Sequence, residues 1–256
     1  MSYNVMFTKE NLDNYLKALA KVFRKLNGKT MPAEIILIGG ASVLINYGFR
    51  EMTTDIDAII RASSVMKEAI NVVGDAHELP TGWLNADFVK SDSYSDKLIQ
   101  ISTYYRTYSN VLEIRTVAAE YLMAMKLVAG RQYKYDRSDI IGIFWEHQKA
   151  GTPISYEAID RAVIELYGNW DGVSDDVKSI LEKVLESDDC ESLYLQARED
   201  EIRAKEDLVE FQTKYPEAMK EKIDINNLLD TLRHKRTENK VTEKDDTPPK
   251  SFIKTQ

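Results

Sequence analysis

Apolar residues in the first 115 positions follow two different spacings, and their succession predicts a sheet flanked by helices. Thr8 can cap the first helix, and Asn27-Gly28 supplies its stop. A continuous β-branched run predicts a buried strand that ends at Gly39-Gly40. The predicted helices cover 7–26, 41–47 and 62–73, the last stopping at Gly74, and the predicted strands cover 35–38, 56–60, 98–105 and 111–114. Such an alternation indicates an α/β or α+β domain.

Beyond Thr116 only helical spacing is found. The predicted helices cover 117–129, 138–149, 155–167, 174–185 and 191–214, and one more runs from Pro216 to about Arg236. Residues 237–256 are polar and rich in charge, which predicts a disordered tail. The sequence therefore predicts an α+β protein with a small mixed-sheet domain over 1–115, a helical domain over 116–236 and a tail over 237–256.

Composition excludes several classes of protein. No apolar run approaches ~18 residues, the length needed to span a membrane, and no secretory signal is visible at the start, so we expect a cytoplasmic protein. The single cysteine, Cys190, and three scattered histidines argue against disulfides and against a zinc site. A net charge of −8 argues against broad, nonspecific binding to nucleic acid.

The most informative stretch covers residues 35–60. Its first strand ends in Gly39-Gly40, where a helix opens, and Asp55-Ile56-Asp57 stands at the head of the second strand. Glycines let a backbone approach a phosphate closely, and free N–H groups at a helix start favour an anion. Asp55 and Asp57 share one face of the strand, so their carboxylates are suited to Mg²⁺ held against a nucleoside triphosphate.

This order resembles the nucleotidyltransferase superfamily typified by DNA polymerase beta. Arg50 and Thr54 also fall where that superfamily has its basic and Ser/Thr positions. The branch it resembles is the minimal nucleotidyltransferases and AbiEii-type toxins. The resemblance implies a small mixed-sheet nucleotidyltransferase domain followed by a helical domain, with the active site in the cleft between them. It also implies that Gly39, Gly40 and Ser42 hold the triphosphate, while Asp55 and Asp57 bind Mg²⁺.

A second stretch, from Glu120 to Ile140, resembles the helix block of AbiEii-type proteins. The resemblance implies that Lys126 and Arg131 contact nucleotide phosphates, with Lys126 among the catalytic residues. It implies that an acidic pair, Asp136 and Asp139, orients these cations. A triphosphate beside two aspartates needs cations for its remaining charge, which agrees with this assignment.

The third carboxylate is open between two positions, and its absence is a further alternative. The superfamily usually places it on the next central strand. Asp87 is the first candidate, both as a metal ligand and as a residue that positions the acceptor, and Glu113 is the alternative.

The reaction implied is transfer of a nucleoside monophosphate from an NTP to an acceptor hydroxyl. By resemblance, the biological role is a toxin of a toxin–antitoxin or phage-defence (abortive infection) system that acts on tRNA, with an antitoxin protein as a partner. Five cations, Arg50, Lys126, Arg131, Lys134 and Arg137, could form a basic patch for tRNA. Two alternatives are an enzyme acting on a small acceptor such as an aminoglycoside hydroxyl, and a noncatalytic nucleotide- or partner-binding module.

Overall fold

A computed structural model describes residues 5–29, 31–91, 93–217 and 224–233 of the chain. Its helices are α1 (Lys9–Asn27), α2 (Gly39–Asn46), α3 (Val65–Ala76), α4 (Leu98–Ile101), α5 (Ala119–Ala129), α6 (Asp136–Lys149), α7 (Tyr156–Tyr167), α8 (Asp175–Glu186) and α9 (Cys190–Lys214), with a further helical segment over 225–233. Its strands are β1 (Ala33–Leu37), β2 (Ile56–Arg61), β3 (Leu84–Asn85), β4 (Ser102–Tyr108) and β5 (Leu112–Val117). These elements confirm the predicted α+β class.

The five strands form one mixed sheet in the order β3-β2-β1-β5-β4. Strand β1 runs antiparallel to β2 and parallel to β5, while β3 runs parallel to β2 and β4 antiparallel to β5. Because β1 is the central strand, the residues that follow its carboxyl end lie near the middle of that end of the sheet.

Alternation along β1 sends its side chains into two separate cores. Ile35 and Leu37 are buried with the apolar faces of α1 and α3. Ile36 and Ile38 face the other way and are buried with residues of α5 to α8. A strand covered on both faces is expected to be continuously apolar, and this explains the unbroken run that predicted β1.

The first helix forms as its sequence predicts. The Thr8 hydroxyl accepts a hydrogen bond from the Asn11 backbone N–H at 3.3 Å, and the Asn11 side chain accepts one from the Thr8 N–H at 2.8 Å. Gly28 ends the helix at φ 74°, a left-handed conformation that glycine adopts without strain.

Several predicted boundaries are wrong, among them the end of the last strand, because β5 continues to Val117, where a helix was predicted to begin. Helix α3 does not stop at Gly74 but continues to Ala76. A glycine suits this helical position because the Trp83 ring packs against it, 3.3 Å from where a Cβ would stand. The predicted strand over 98–105 begins as a helical turn, α4, and becomes extended only at Ser102.

The chain divides into two compact units. The first contains the chain up to Gly130 together with Tyr135–Arg198, and therefore the sheet and helices α1 to α8. The second contains Arg131–Lys134 and the chain from Glu199. Within it, the Gln132 side chain donates to Asp230 at 2.9 Å and accepts from Arg233 at 2.6 Å. The predicted domain boundaries stay a prediction, and the predicted tail over 237–256 lies outside the described residues. No helix in the described ranges combines the length and the apolar character needed to cross a membrane.

Gly142→Ala is expected to destabilise the protein by about 1–3 kcal/mol, the usual cost of overpacking, although alanine favours a helix. A Cβ at Gly142 would stand 2.5 Å from the ring of Phe49. That ring is held between Tyr47 and Tyr194, with ring centroids at 5.7 and 5.5 Å. Gly48→Ala is the matched control, because nothing lies within 4 Å of its added Cβ. Denaturant unfolding measures both, and equal stability of the two variants would contradict the packing argument.

Candidate active site

The turn between β1 and α2 needs glycine at both of its positions. Gly39 has φ 52°, in the left-handed region that disfavours side chains. Gly40 has an ordinary φ, but a Cβ there would stand 2.8 Å from Nη2 of Arg50 and 2.8 Å from Oγ1 of Thr53. The second glycine therefore allows Arg50 to lie directly against the start of α2.

The two aspartates lie beside this turn. The backbone N–H of Ile38 donates to the carbonyl of Asp57 at 2.9 Å, so Asp57 stands next to the residue that precedes Gly39. Ile56 and Ala58 are buried on the α1 and α3 side, so alternation places Asp57 on the opposite face, where it is half-buried. Asp55 is exposed, and its Oδ1 accepts from the buried Thr53 hydroxyl at 3.2 Å.

A buried ionic network joins α5, α6 and the loop after α2. The Lys126 ammonium lies 2.7 Å from Oδ1 of Asp136 and 2.9 Å from Oδ2 of Asp139. The same Asp139 oxygen accepts from Nη1 of Arg50 at 2.5 Å. Asp136 and Asp139 are three positions apart on α6, which puts both carboxylates on one helix face. All four side chains are at least nine-tenths buried.

The carboxylates keep both cations charged. Burial lowers the pKa of Lys126, but Asp136 and Asp139 outweigh it, and the pKa lies above its usual value. Burial likewise lowers the pKa of Arg50, whereas Asp139 and, to a smaller extent, Asp55 and Asp136 raise it. The net result is a pKa above the usual value. Because its charge is retained, Lys126 is not suited to act as a general base.

Ser42 and Arg131 are the other two residues predicted to contact phosphate. Ser42 is fully buried, and its hydroxyl accepts from the backbone N–H of Val117 at 3.3 Å, so it ties α2 to the end of β5. Arg131 belongs to the second unit, and its predicted contact with phosphate stays a prediction.

The strands place Glu113 away from Asp55 and Asp57, whereas Asp87 lies two residues after the register partner of Asp57, in a turn that contacts β2. Asp87 begins a 3-10 turn, Asp87–Lys90, and its carboxylate is 76% exposed and pairs with Lys90 at 2.9 Å. Glu113 is the register partner of Glu34 on β1, four positions before Ile38. At about 3.3 Å per residue, this puts it roughly 13 Å along the sheet from the level of Asp57. Its carboxylate pairs with Arg115 at 2.7 Å.

The strand next to the aspartates carries an amide at the corresponding level. Asn85 on β3 is the register partner of Asp57. Its Oδ1 accepts from the Asp87 backbone N–H at 2.9 Å, which holds the start of the 3-10 turn. Within the described ranges, no group of three or more His, Cys, Asp or Glu side chains is arranged to hold a metal ion. Asp55 and Asp57 offer two hard carboxylates, a donor type that fits Mg²⁺.

A profile comparison with protein families finds a match over residues 14–144, to the family described as "Nucleotidyltransferase of unknown function (DUF6036)". The chain belongs to this family. The matched range contains the glycine turn, both aspartates and the whole ionic network. Membership of DUF6036 supports the assignment of the chain to the nucleotidyltransferase superfamily. Its assignment to the AbiEii-type branch stays a prediction. No curated protein and no solved structure shows significant similarity to the chain.

The structure of this DUF6036 protein also shows what the motifs did not. Thr53, rather than Thr54, contacts Asp55, and Arg50 joins the glycine turn to Asp139. Arg50 could be found from the sequence, because it is a basic residue between the glycine turn and the aspartate pair. Nothing in the sequence of that loop indicates that its partner is Asp139. Since Lys126 and Arg50 are buried and paired with carboxylates, neither belongs to an exposed basic patch for tRNA.

Proposed function

We propose that this protein is a Mg²⁺-dependent nucleotidyltransferase that transfers a nucleoside monophosphate from an NTP to an acceptor hydroxyl. One observation carries the proposal. The backbone contact between Ile38 and Asp57 sets the two aspartates beside the glycine turn and the start of α2. A phosphate-binding turn next to paired carboxylates is the combination that metal-assisted phosphoryl transfer requires.

Each part of the site has a distinct role in the proposed reaction. The acceptor oxygen bonds to the α-phosphorus while the bond from that phosphorus to the bridging oxygen breaks, so pyrophosphate leaves. A carboxylate of the Asp55 and Asp57 pair accepts the hydroxyl proton. The same pair would hold Mg²⁺, which supplies positive charge to the phosphates. Backbone N–H groups at Gly39 and Gly40 hold phosphate oxygens. Lys126 and Arg50 keep α6 fixed against the turn through Asp139.

We further propose, on the resemblance to AbiEii-type proteins, that the protein is a cytoplasmic toxin of a toxin–antitoxin or phage-defence system. tRNA is the proposed acceptor and an antitoxin protein the proposed partner. The shared order of the two motifs supports this branch. Enzymes that act on small acceptors such as aminoglycosides use the same chemistry, so the acceptor needs its own test.

Incubation of the purified protein with Mg²⁺, total RNA and each labelled NTP in turn tests this proposal. We expect label to enter RNA of tRNA size with one NTP, with release of pyrophosphate and loss of signal in EDTA. Label on an added aminoglycoside instead of RNA would show the small-acceptor alternative. Absence of transfer to either acceptor, with all four NTPs, would count against the enzymatic proposal.

A noncatalytic nucleotide-binding module is the second candidate. Asn85, rather than a carboxylate, is the register partner of Asp57, and this observation favours it. That candidate predicts NTP binding without release of pyrophosphate.

A further inference from the structure

The ring of Tyr135 carries two guanidinium groups. The Cζ atom of Arg198, on α9, lies 3.7 Å from the ring centroid, and the Cζ atom of Arg50 lies 5.2 Å from it. Tyr135 directly precedes Asp136, and all these residues belong to the first unit. The ring therefore connects Arg198 to the network that borders the glycine turn.

These cations differ in how their charge is compensated. Arg50 pairs with Asp139, and Lys126 pairs with both Asp136 and Asp139. Arg198 is half-buried, and across the described ranges its guanidinium makes the contact with Tyr135 but no hydrogen bond or ion pair. Stacking uses only the face of a guanidinium, so the N–H donors in its plane stay available.

The charges around the site indicate what the N–H donors of Arg198 could bind. The negative charges of Asp136 and Asp139 offset the positive charges of Arg50 and Lys126. Asp55 and Asp57 add further negative charge nearby. A polyphosphate that enters such a site needs a cation whose charge is not already matched. Arg198 meets this requirement, and a planar guanidinium suits the geometry of phosphate oxygens.

We propose that Arg198, held in place by stacking on Tyr135, is a phosphate-binding residue of the active site. The inference rests on the proposed nucleotidyltransferase function, because the phosphate is taken to come from its substrates. Two sources share this chemistry, namely the polyphosphate of the NTP and the backbone of an RNA acceptor.

The test compares Arg198→Met with Arg203→Met in the full-length protein. Arg203 lies on the same helix and forms an exposed pair with Glu199, so its replacement removes an equal charge away from the stack. Each variant is titrated with the four Mg²⁺-NTPs and, separately, with total tRNA. We expect Arg198→Met to weaken the binding of one of these ligands at least about tenfold, the scale of a lost charge-assisted hydrogen bond. Arg203→Met is expected to bind both ligands as the wild type does.

Two changes at Tyr135 separate stacking from a general loss of structure. Tyr135→Phe keeps the ring and is expected to bind as the wild type does. Tyr135→Leu removes the ring and is expected to weaken the binding of the same ligand that Arg198→Met affects. Thermal midpoints of all variants are measured, and the comparison uses ligand affinity only for those that unfold at the wild-type temperature. Arg198→Met itself has no ion pair to lose, so we expect it to qualify.

The outcomes distinguish the two proposals. Weaker binding of the NTP identifies its polyphosphate as the source, and weaker binding of tRNA alone identifies the acceptor backbone. If the wild type binds and Arg198→Met binds equally well, only the role of Arg198 is overturned. A wild type that binds neither ligand contradicts the proposed function and the role of Arg198 with it.

Discussion

Asp57→Asn is expected to lower the rate of nucleotide transfer by about 10³-fold, the upper range for removing one group that stabilises transition-state charge. Asparagine keeps the size of the side chain and leaves the backbone contact with Ile38 intact. It removes the negative charge that a divalent cation requires. The measurement is the initial rate of labelled nucleotide incorporation at saturating NTP. Transfer that survives in Asp57→Asn would contradict the assigned role of the aspartate pair.

Asp87→Asn and Glu113→Gln are the matched controls, because they make the same chemical change at the two other predicted carboxylates. Asp87 is exposed beside Lys90, and Glu113 on β5 pairs with Arg115 at the level of the start of β1. We expect either change to alter the rate by no more than about twofold, the usual scale of a surface substitution. A loss in one of them as large as that in Asp57→Asn would identify it as the third catalytic carboxylate.

The central part of the site could be predicted from sequence because its parts are local. A buried strand that ends in two glycines and an Asp-Ile-Asp at the head of the next strand meet wherever the two strands pair. The spacing of Asp136 and Asp139 likewise fixes them on one face of α6, where both contact Lys126. In each case one period of a helix or strand determines which side chains come together.

The other contacts depend on packing between distant segments. Asp139 and Arg50 are 89 positions apart, and nothing in the loop after α2 specifies which carboxylate its arginine meets. Strand β3 has two residues, too few to show a period, so the pairing of Asn85 with Asp57 was not predictable. Arg198 lies on a helix so rich in charge that its stacking on Tyr135 had no signal in the sequence.

Lys126→Met is expected to lower the free energy of unfolding by about 3–5 kcal/mol, the usual cost of removing one partner from a buried ion pair. The Lys126 side chain is 8% exposed, and those of Asp136 and Asp139 are 0% and 3% exposed. Methionine fills a similar volume but leaves Asp136 without the ammonium at 2.7 Å. Denaturant unfolding measures the loss, and thermal unfolding should shift downward by roughly 6–20 °C for a chain of this size.

Two further variants test whether this loss comes from breaking the ion pair. Lys178→Met removes a half-buried lysine that pairs with the exposed Asp175 on α8, and it is expected to cost less than about 1 kcal/mol. Adding Asp136→Asn to Lys126→Met removes the carboxylate that has lost its contact with the ammonium, while Asp139 keeps its pair with Arg50. The double variant should therefore recover at least about 1 kcal/mol, because coupled partners are not additive. If it is as unstable as Lys126→Met, the loss comes from packing around the methionine, and the ionic network does not hold α5 and α6 together.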